Sequence, residues 1–352
     1  IFFIIMLSGQ LASMAYKCSR GGLTLAVHYP KIPCQPTNLA KQFSRSYREA
    51  GRSGFRGRTR GAQVKIEQAA QGVKTKVGPL EVGQIAAGGG ALIGLGALCY
   101  YGLGLSSETG AIDRMVVWPQ IVRERVKDTY MYFGASCVAV AASAVALYQS
   151  PFAPRYIQLC AKHPILSTVG LLVCLVGTGQ AMMSIPYSHG FGAKQMMWLV
   201  NCGMLGLVAA PIGALGGVIM IRAGWYTAGI VGGLSTVAMC APSDKFLTWA
   251  GPLGLGLGGV IVASIGSAFL PPTSALGLGL YSISLYGGLL LFSGFLLYDT
   301  QKIIYKAENH PSHQGVRPYD PINASHHIVM DALNIFIRIA QILAMGGGSR
   351  RK

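Results

Sequence analysis

The chain has 352 residues, of which 51% are hydrophobic and only 12% charged, and its mean hydropathy is +0.45. That balance, with several long apolar runs, excludes an ordinary soluble domain and defines a polytopic helical membrane protein embedded in a lipid bilayer. The net charge of +17 could suit a nucleic-acid binder, but 13 of the 29 Lys and Arg precede residue 80, so it points to targeting and no nucleic-acid partner is expected.

In chain order, residues 1–48 contain no acid but carry Lys17, Arg20, Lys31, Lys41, Arg45 and Arg48 among Ser, Ala and Leu, the composition of a mitochondrial transit peptide. Met6 is read as the initiator, and Arg45-Ser46-Tyr47 resembles a matrix-protease cleavage signal. Residues 49–83 form a basic, Gly-rich arm with Arg52, Arg56, Arg58, Arg60 and Lys65, expected to be flexible and on the matrix side.

Eight apolar segments follow, each close to the roughly 20 residues that a span needs. They are placed at about 84–105, 129–148, 165–183, 197–220, 223–241, 250–270, 276–304 and 324–345. The fold class expected is therefore an all-α bundle of about eight transmembrane helices: a leading helix at 84–105, an amphiphilic connector at 106–128 and a core at 129–345. In the connector Glu108, Asp113, Glu124 and Asp128 balance Arg114, Arg123, Arg125 and Lys127. A basic tail occupies 346–352, with Arg350, Arg351 and Lys352. An even number of spans and the placement of Lys and Arg put both termini in the matrix, with Arg155, Lys162 and Arg222 on the same side. Lys302, Lys306 and Arg317 fall opposite.

Five of the eight Cys (Cys99, Cys137, Cys174, Cys202 and Cys240) fall within apolar spans, and no CxxC spacing occurs, so they read as small core residues. Gly clusters at Gly88–Gly90, Gly213–Gly217, Gly229–Gly233 and Gly254–Gly259 read as close helix packing. The last of these mimics a dinucleotide loop without its strand or its phosphate-binding Lys. Ser235 would need a base within reach to act as a nucleophile, and the candidates in apolar segments, His326 and His327, sit near a helix start. No catalytic constellation emerges, so neither an enzyme nor a cofactor is expected.

The last two spans stand apart. Of only 12 acids in the chain, Asp299 lies inside the apolar run that resumes at Ile303, and Asp331 inside the next. A charged side chain at the centre of a bilayer costs roughly 2.5–3.5 kcal/mol on insertion scales, which makes it a functional-site hypothesis by default. With a loop from Lys306 to Asn323, both carboxylates come to lie roughly 9–11 Å from one membrane face. Two such groups can face each other, share a proton and titrate as a unit. When both ionise they can hold a hard cation such as Ca2+. The bland alternative is that Asp299 caps or snorkels at a helix end while Asp331 bonds a backbone.

Around this pair, Asp320 could recruit cations or simply turn the chain before Pro321. His327 or His326 could modulate the pair near neutral pH. Arg222 and Arg338 are candidate counter-charges, although Arg338 lies about 10 Å along the helix from Asp331, too far for direct pairing. The formal sequon at Asn323 reads as a helix start, capped by Asn323 or Ser325. The final span is the most polar, as a pore-lining or bundle-centre helix would be, or less readily an interfacial one.

LLYDTQKII, with Tyr298-Asp299-Thr300-Gln301, and MDALNIF, with Asp331 three residues before Asn334-Ile335-Phe336, resemble the closing signature of the transmembrane Bax-inhibitor-motif family. The Gly-rich core and Trp225–Ser243 resemble its mitochondrial branch, over about Ile85 to Lys352. The resemblance implies a multi-helix membrane fold with a pH-sensitive di-aspartyl site, Asp299 and Asp331, and Ca2+ permeation. For the mitochondrial branch it implies an inner-membrane protein with cation/proton exchange, roles in cristae organisation and cytochrome c retention, and protein partners in that membrane. A non-transporting scaffold for cristae is the competing expectation.

Overall fold

The computed structural model describes residues 118–241, 245–270, 274–311 and 318–348, together with Ile85. The expected transit peptide, basic arm and leading span at 84–105 thus fall outside the described residues, apart from Ile85, as do 106–117 of the expected connector and 349–352 of the expected tail. Among the described residues nine α-helices run as α1 (Gln120–Gln149), α2 (Ala153–Lys162), α3 (Pro164–Ser184), α4 (Ala193–Ala209), α5 (Gly217–Cys240), α6 (Ala250–Phe269), α7 (Ala275–Ser282), α8 (Gly288–Asn309) and α9 (Pro321–Gly348). No strand occurs among the described residues.

Prolines set many of the breaks, because their rings cannot continue a helix interior but suit a first turn. Pro119 precedes α1, Pro154 and Pro164 open α2 and α3, and Pro211 turns the end of α4 into a 3₁₀ segment over Ala210–Leu215. That segment ends at Gly216, whose φ of 99° reverses the chain into α5 in a conformation that L side chains rarely adopt. α7 and α8 are joined by one π-helical turn, Ile283–Gly287, and together cross as a single span of 35 residues.

Seven helical stretches among the described residues are long and apolar enough to cross a bilayer. Each lies within a few residues of a span read from the sequence. α1, however, begins at Gln120, so the last nine residues of the expected connector belong to its first turns. Alternating directions place the α3–α4, α5–α6 and α8–α9 connections at one face, here called the loop face. The ends of α1, α4 and α6 lie at the opposite face, with α2 between α1 and α3.

α9 is the centre of the bundle. It packs against α1, α5 and α8, and 67% of its most apolar stretch is buried, against 17% or less for α1, α3, α5 and α6. The bundle-centre reading of this polar helix therefore holds over the interfacial one. Its apolar residues Ile328, Ile335, Ile337 and Ala340 join Leu205, Val208, Ile212 and Leu296 in one core.

Close approach through glycine is selective. A Cβ at Gly256 would meet Leu291 at 2.8 Å, one at Gly294 would meet Leu253 at 2.8 Å, and one at Gly213 would meet Tyr148 at 2.9 Å. Most of the glycines in the sequence clusters pack otherwise. Gly229, Gly232, Gly233, Gly254, Gly258 and Gly259 face open space, so internal packing does not explain them.

Candidate functional site

The site is built from the signature residues of α8 and α9. On α8, four consecutive side chains point four ways. Tyr298 stacks under Lys302 with the ammonium 5.3 Å from the ring centre. Asp299 turns to Asp331. Thr300 lies beside the Tyr130 hydroxyl of α1, which also neighbours Ser235 of α5. The Gln301 carbonyl accepts from the Phe246 amide at 2.7 Å and its amide donates to the Ala238 carbonyl at 3.5 Å, which fixes the end of α5 and the turn before α6 against α8. Ser235 thus sits in a packing contact among α1, α5 and α8, away from the protease arrangement weighed from sequence.

Asp299 and Asp331 are brought together. Both are buried, at 8% and 6% exposure, and their carboxyl groups are close enough to interact directly. Two carboxyl groups can hydrogen-bond to each other only when at least one of them carries a proton. Asp299 stands ten residues before Asn309 and Asp331 ten residues after Pro321, so both lie about 15 Å from the loop face. The depths match as expected but are greater, because α8 runs on to Asn309 and α9 starts earlier, at Pro321. Neither carboxylate caps a helix end.

One face of α9 carries a continuous polar stripe: His327, Asp331, Asn334, Arg338 and Gln341. These positions recur at helical spacing and fall within one narrow arc. Toward the loop face, His327 reaches the surface and lies with Lys302 and Lys306 in electrostatic range of Asp299. Toward the opposite face the stripe is buried. Asn334 bonds the Met330 carbonyl at 2.9 Å and accepts from Arg338 at 3.1 Å. Arg338 is fully buried, donates to the Asn334 carbonyl at 2.9 Å and lies 4.5 Å from the centre of the Phe292 ring. Its first contacts are Asn334 and Phe292, so it does not serve as a direct counter-charge to Asp331.

Asp320 has a structural place. Lys194, wholly buried at the start of α4, forms an ion pair with it. Its other oxygen accepts from the Asn323 amide at 3.0 Å, capping α9 with Pro321 at the first helical position. Asn323 and Ser325 are therefore not the cap: Asn323 donates to the Met183 carbonyl at 3.3 Å and Ser325 to Ile322 at 3.0 Å. Nearby, Arg125 donates to the Ala307 and His310 carbonyls at 2.8 and 3.0 Å, closing the end of α8. Tyr319 meets Thr129 at 3.0 Å, and burial pushes its phenol above the ordinary value. α1 and α4 thus hold both ends of the α8–α9 connection.

As a cation site the pair offers two carboxylates, and one oxygen of Asp331 is buried without a hydrogen-bond partner. No group of three or more His, Cys, Asp and Glu side chains gathers for a metal among the described residues. Ca2+ takes six to eight oxygens, so an ion here would keep water or backbone oxygens. Such a donor set suits transit better than permanent storage.

The fold and site together define a multi-pass all-α membrane protein with apposed, buried carboxylates on its last two helices. The chain belongs to the Bax inhibitor family: residues 122–348 match the family described as Inhibitor of apoptosis-promoting Bax1. It is 50% identical over 271 residues to growth hormone-inducible transmembrane protein of Rattus norvegicus, covering 77% of each chain. To Bax inhibitor 1 of Homo sapiens it is 27% identical over 235 residues, 65% of this chain and 89% of that one. Bax inhibitor 1 of Sus scrofa is 28% identical over the same span. The much higher identity to the first relative supports the branch read from the sequence. No solved structure matches the chain.

Proposed function

We propose that this protein is a pH-sensitive Ca2+ transporter of the mitochondrial inner membrane, exchanging Ca2+ for H+ or letting it leak, through Asp299 and Asp331. The observation that carries the reading is the apposition of two buried carboxyl groups at equal depth on sequential helices. Sharing one proton, the pair keeps a single negative charge, which does not neutralise a divalent ion. With both groups ionised it carries two negative charges, which a divalent ion neutralises. Ca2+ entry and proton loss are then one event, so flux falls as pH falls. His327, Lys302 and Lys306 line the approach to Asp299 from the loop face and bias that exchange electrostatically.

The acid-free segment 1–48 supports a mitochondrial address, and the basic residues of the arm, of the tail and of the face opposite the loop face support termini in the matrix. Control of apoptosis and of cristae would follow from ion balance in that membrane. A second reading, a scaffold for cristae that retains cytochrome c through protein partners, draws on one observation: the open glycine rows of α5 and α6 can receive a partner helix.

The test is Ca2+ flux into proteoliposomes holding the full chain, at acidic and alkaline pH, for the native sequence, Asp299→Asn and Asp331→Asn. Transport through the pair predicts flux that rises with pH and is lost in both variants. Flux that both variants retain ends this mechanism and leaves the scaffold.

A further inference from the structure

The polar stripe of α9 does not end at the aspartates. Seven residues beyond Asp331, about two turns and 10 Å toward the opposite face, it reaches Arg338. α8 runs antiparallel beside it, so that Asp299 meets Asp331 while Phe292 and Gly288 meet Arg338. Beyond Arg338, ten further residues of α9 remain before Gly348, about 15 Å of helix. The guanidinium is therefore deep in the bundle, on the same face as the carboxylates and in line with them.

Its seat is shaped for it. A Cβ on Gly288 would come within 2.8 Å of Nη2 and 2.9 Å of Cζ, so only glycine leaves room for the guanidinium there. Phe292 offers its ring face on the next turn, and Asn334 accepts through both its carbonyl and its side-chain oxygen. Gly288 also directly follows the π turn Ile283–Gly287. Such a turn marks a departure from regular helix and is frequent at functional sites. On the loop-face side of the carboxylates, by contrast, the stripe opens to the surface at His327.

We infer that Arg338, seated on Gly288, is the barrier that closes the path from the aspartate pair to the face opposite the α8–α9 loop. The inference rests on the transport reading of that pair and adds its missing half, which is what keeps the site from opening to both faces at once. A guanidinium keeps its positive charge at all physiological pH. It repels a cation arriving from the aspartates, twice as strongly for a divalent ion as for a monovalent one. The side chain is also fully buried where α9 meets Gly288 and Phe292 of α8. The structure is thus reached from the loop face and sealed on the other side, and passage requires the guanidinium to leave its seat, with the π turn at its base as the place where α8 can give.

The experiment reads access and transport separately. The full chain with Ala at its eight cysteines and Asp331→Cys is reconstituted and treated with a charged, membrane-impermeant thiol reagent from either face. With Arg338 in place, labelling from the loop face is expected, with little from the other. Arg338→Gln, and independently Gly288→Ala, which displaces the guanidinium without removing it, should each raise labelling from the far face by about tenfold or more. Arg338→Lys should raise it less. In parallel, Arg338→Gln on the otherwise native chain should increase Ca2+ flux. Far-face labelling that is equally fast with and without Arg338 overturns the barrier, even where flux depends on the aspartates. Should the aspartates prove to carry no flux, the labelling pattern still decides whether Arg338 seals the path. Gly288→Ala covers the case in which Arg338→Gln does not fold.

Discussion

Lys194 and Asp320 tie the first turn of α4 to the residue that caps α9, and the two partners are unequally placed. The Lys194 side chain is 0% exposed and that of Asp320 is 21% exposed. Removing one partner therefore differs from removing the other. Asp320→Asn keeps the cap on α9 but leaves an ammonium buried with the Ile185 carbonyl as its neutral partner, and should cost about 3 kcal/mol. Lys194→Met leaves a carboxylate that water still reaches and that still caps a helix, and should cost about 1 kcal/mol. The double variant should cost less than the sum of the two. Thermal unfolding in detergent checks the order.

Arg125 closes the end of α8 through two carbonyls and lies 5.7 Å from the centre of the Tyr319 ring. Arg125→Gln should cost about 1–2 kcal/mol, because carbonyls at a helix end lose a charged donor. Its more specific effect is local. Limited proteolysis between α8 and α9 should quicken while cleavage elsewhere is unchanged.

Gly288→Ala should destabilise the protein by about 1–3 kcal/mol, the usual cost of overpacking, since the added methyl meets the guanidinium of Arg338. Gly258→Ala faces open space and should be neutral or slightly stabilising in a helix. A difference of several degrees in melting temperature between the two separates a seat from a merely small residue.

Three tyrosines outside the spans, Tyr156, Tyr187 and Tyr319, are held above the ordinary phenol value of 10.0, in each case chiefly by burial. As pH rises through about 10 the unfolded chain loses these protons first, so the folded state is the one that retains protons and stability falls. Below that pH the three contribute no slope. Replacing all three by Phe should flatten the alkaline arm of a stability profile while leaving the neutral range parallel to that of the native chain.

The spans were legible because twenty-residue apolar runs admit few alternatives, and the aspartates were legible because charge inside such runs is costly. Their pairing followed from matched distance to a shared loop. The depth does not, because Lys306 and Asn323, polar residues that resemble loop, lie in helix that extends beyond the apolar run. α2 is not legible in the sequence because its ten residues, with Arg155 and Lys162, look like a connector. The Asp320-Pro321 start of α9 is readable as a cap followed by a first-turn proline, but Asn323 and Ser325 just beyond it are equally good cap residues by type. Nothing local in ISLYG marks a π turn, and the tie between Lys194 and Asp320 joins residues too far apart in sequence for spacing to reveal. The seat of Arg338 was hidden for the same reason: Gly288 resembles the other glycines until α8 and α9 are side by side.

The central claim is that Ca2+ and a proton compete for one pair of carboxylates. It is tested most directly by proton release when Ca2+ is added to the purified protein in weakly buffered detergent near neutral pH. The account predicts acidification that saturates with Ca2+, is absent in Asp331→Asn and in Asp299→Asn, and shrinks as the starting pH is raised. Ca2+ binding that releases no proton, or release that persists in both variants, would contradict it.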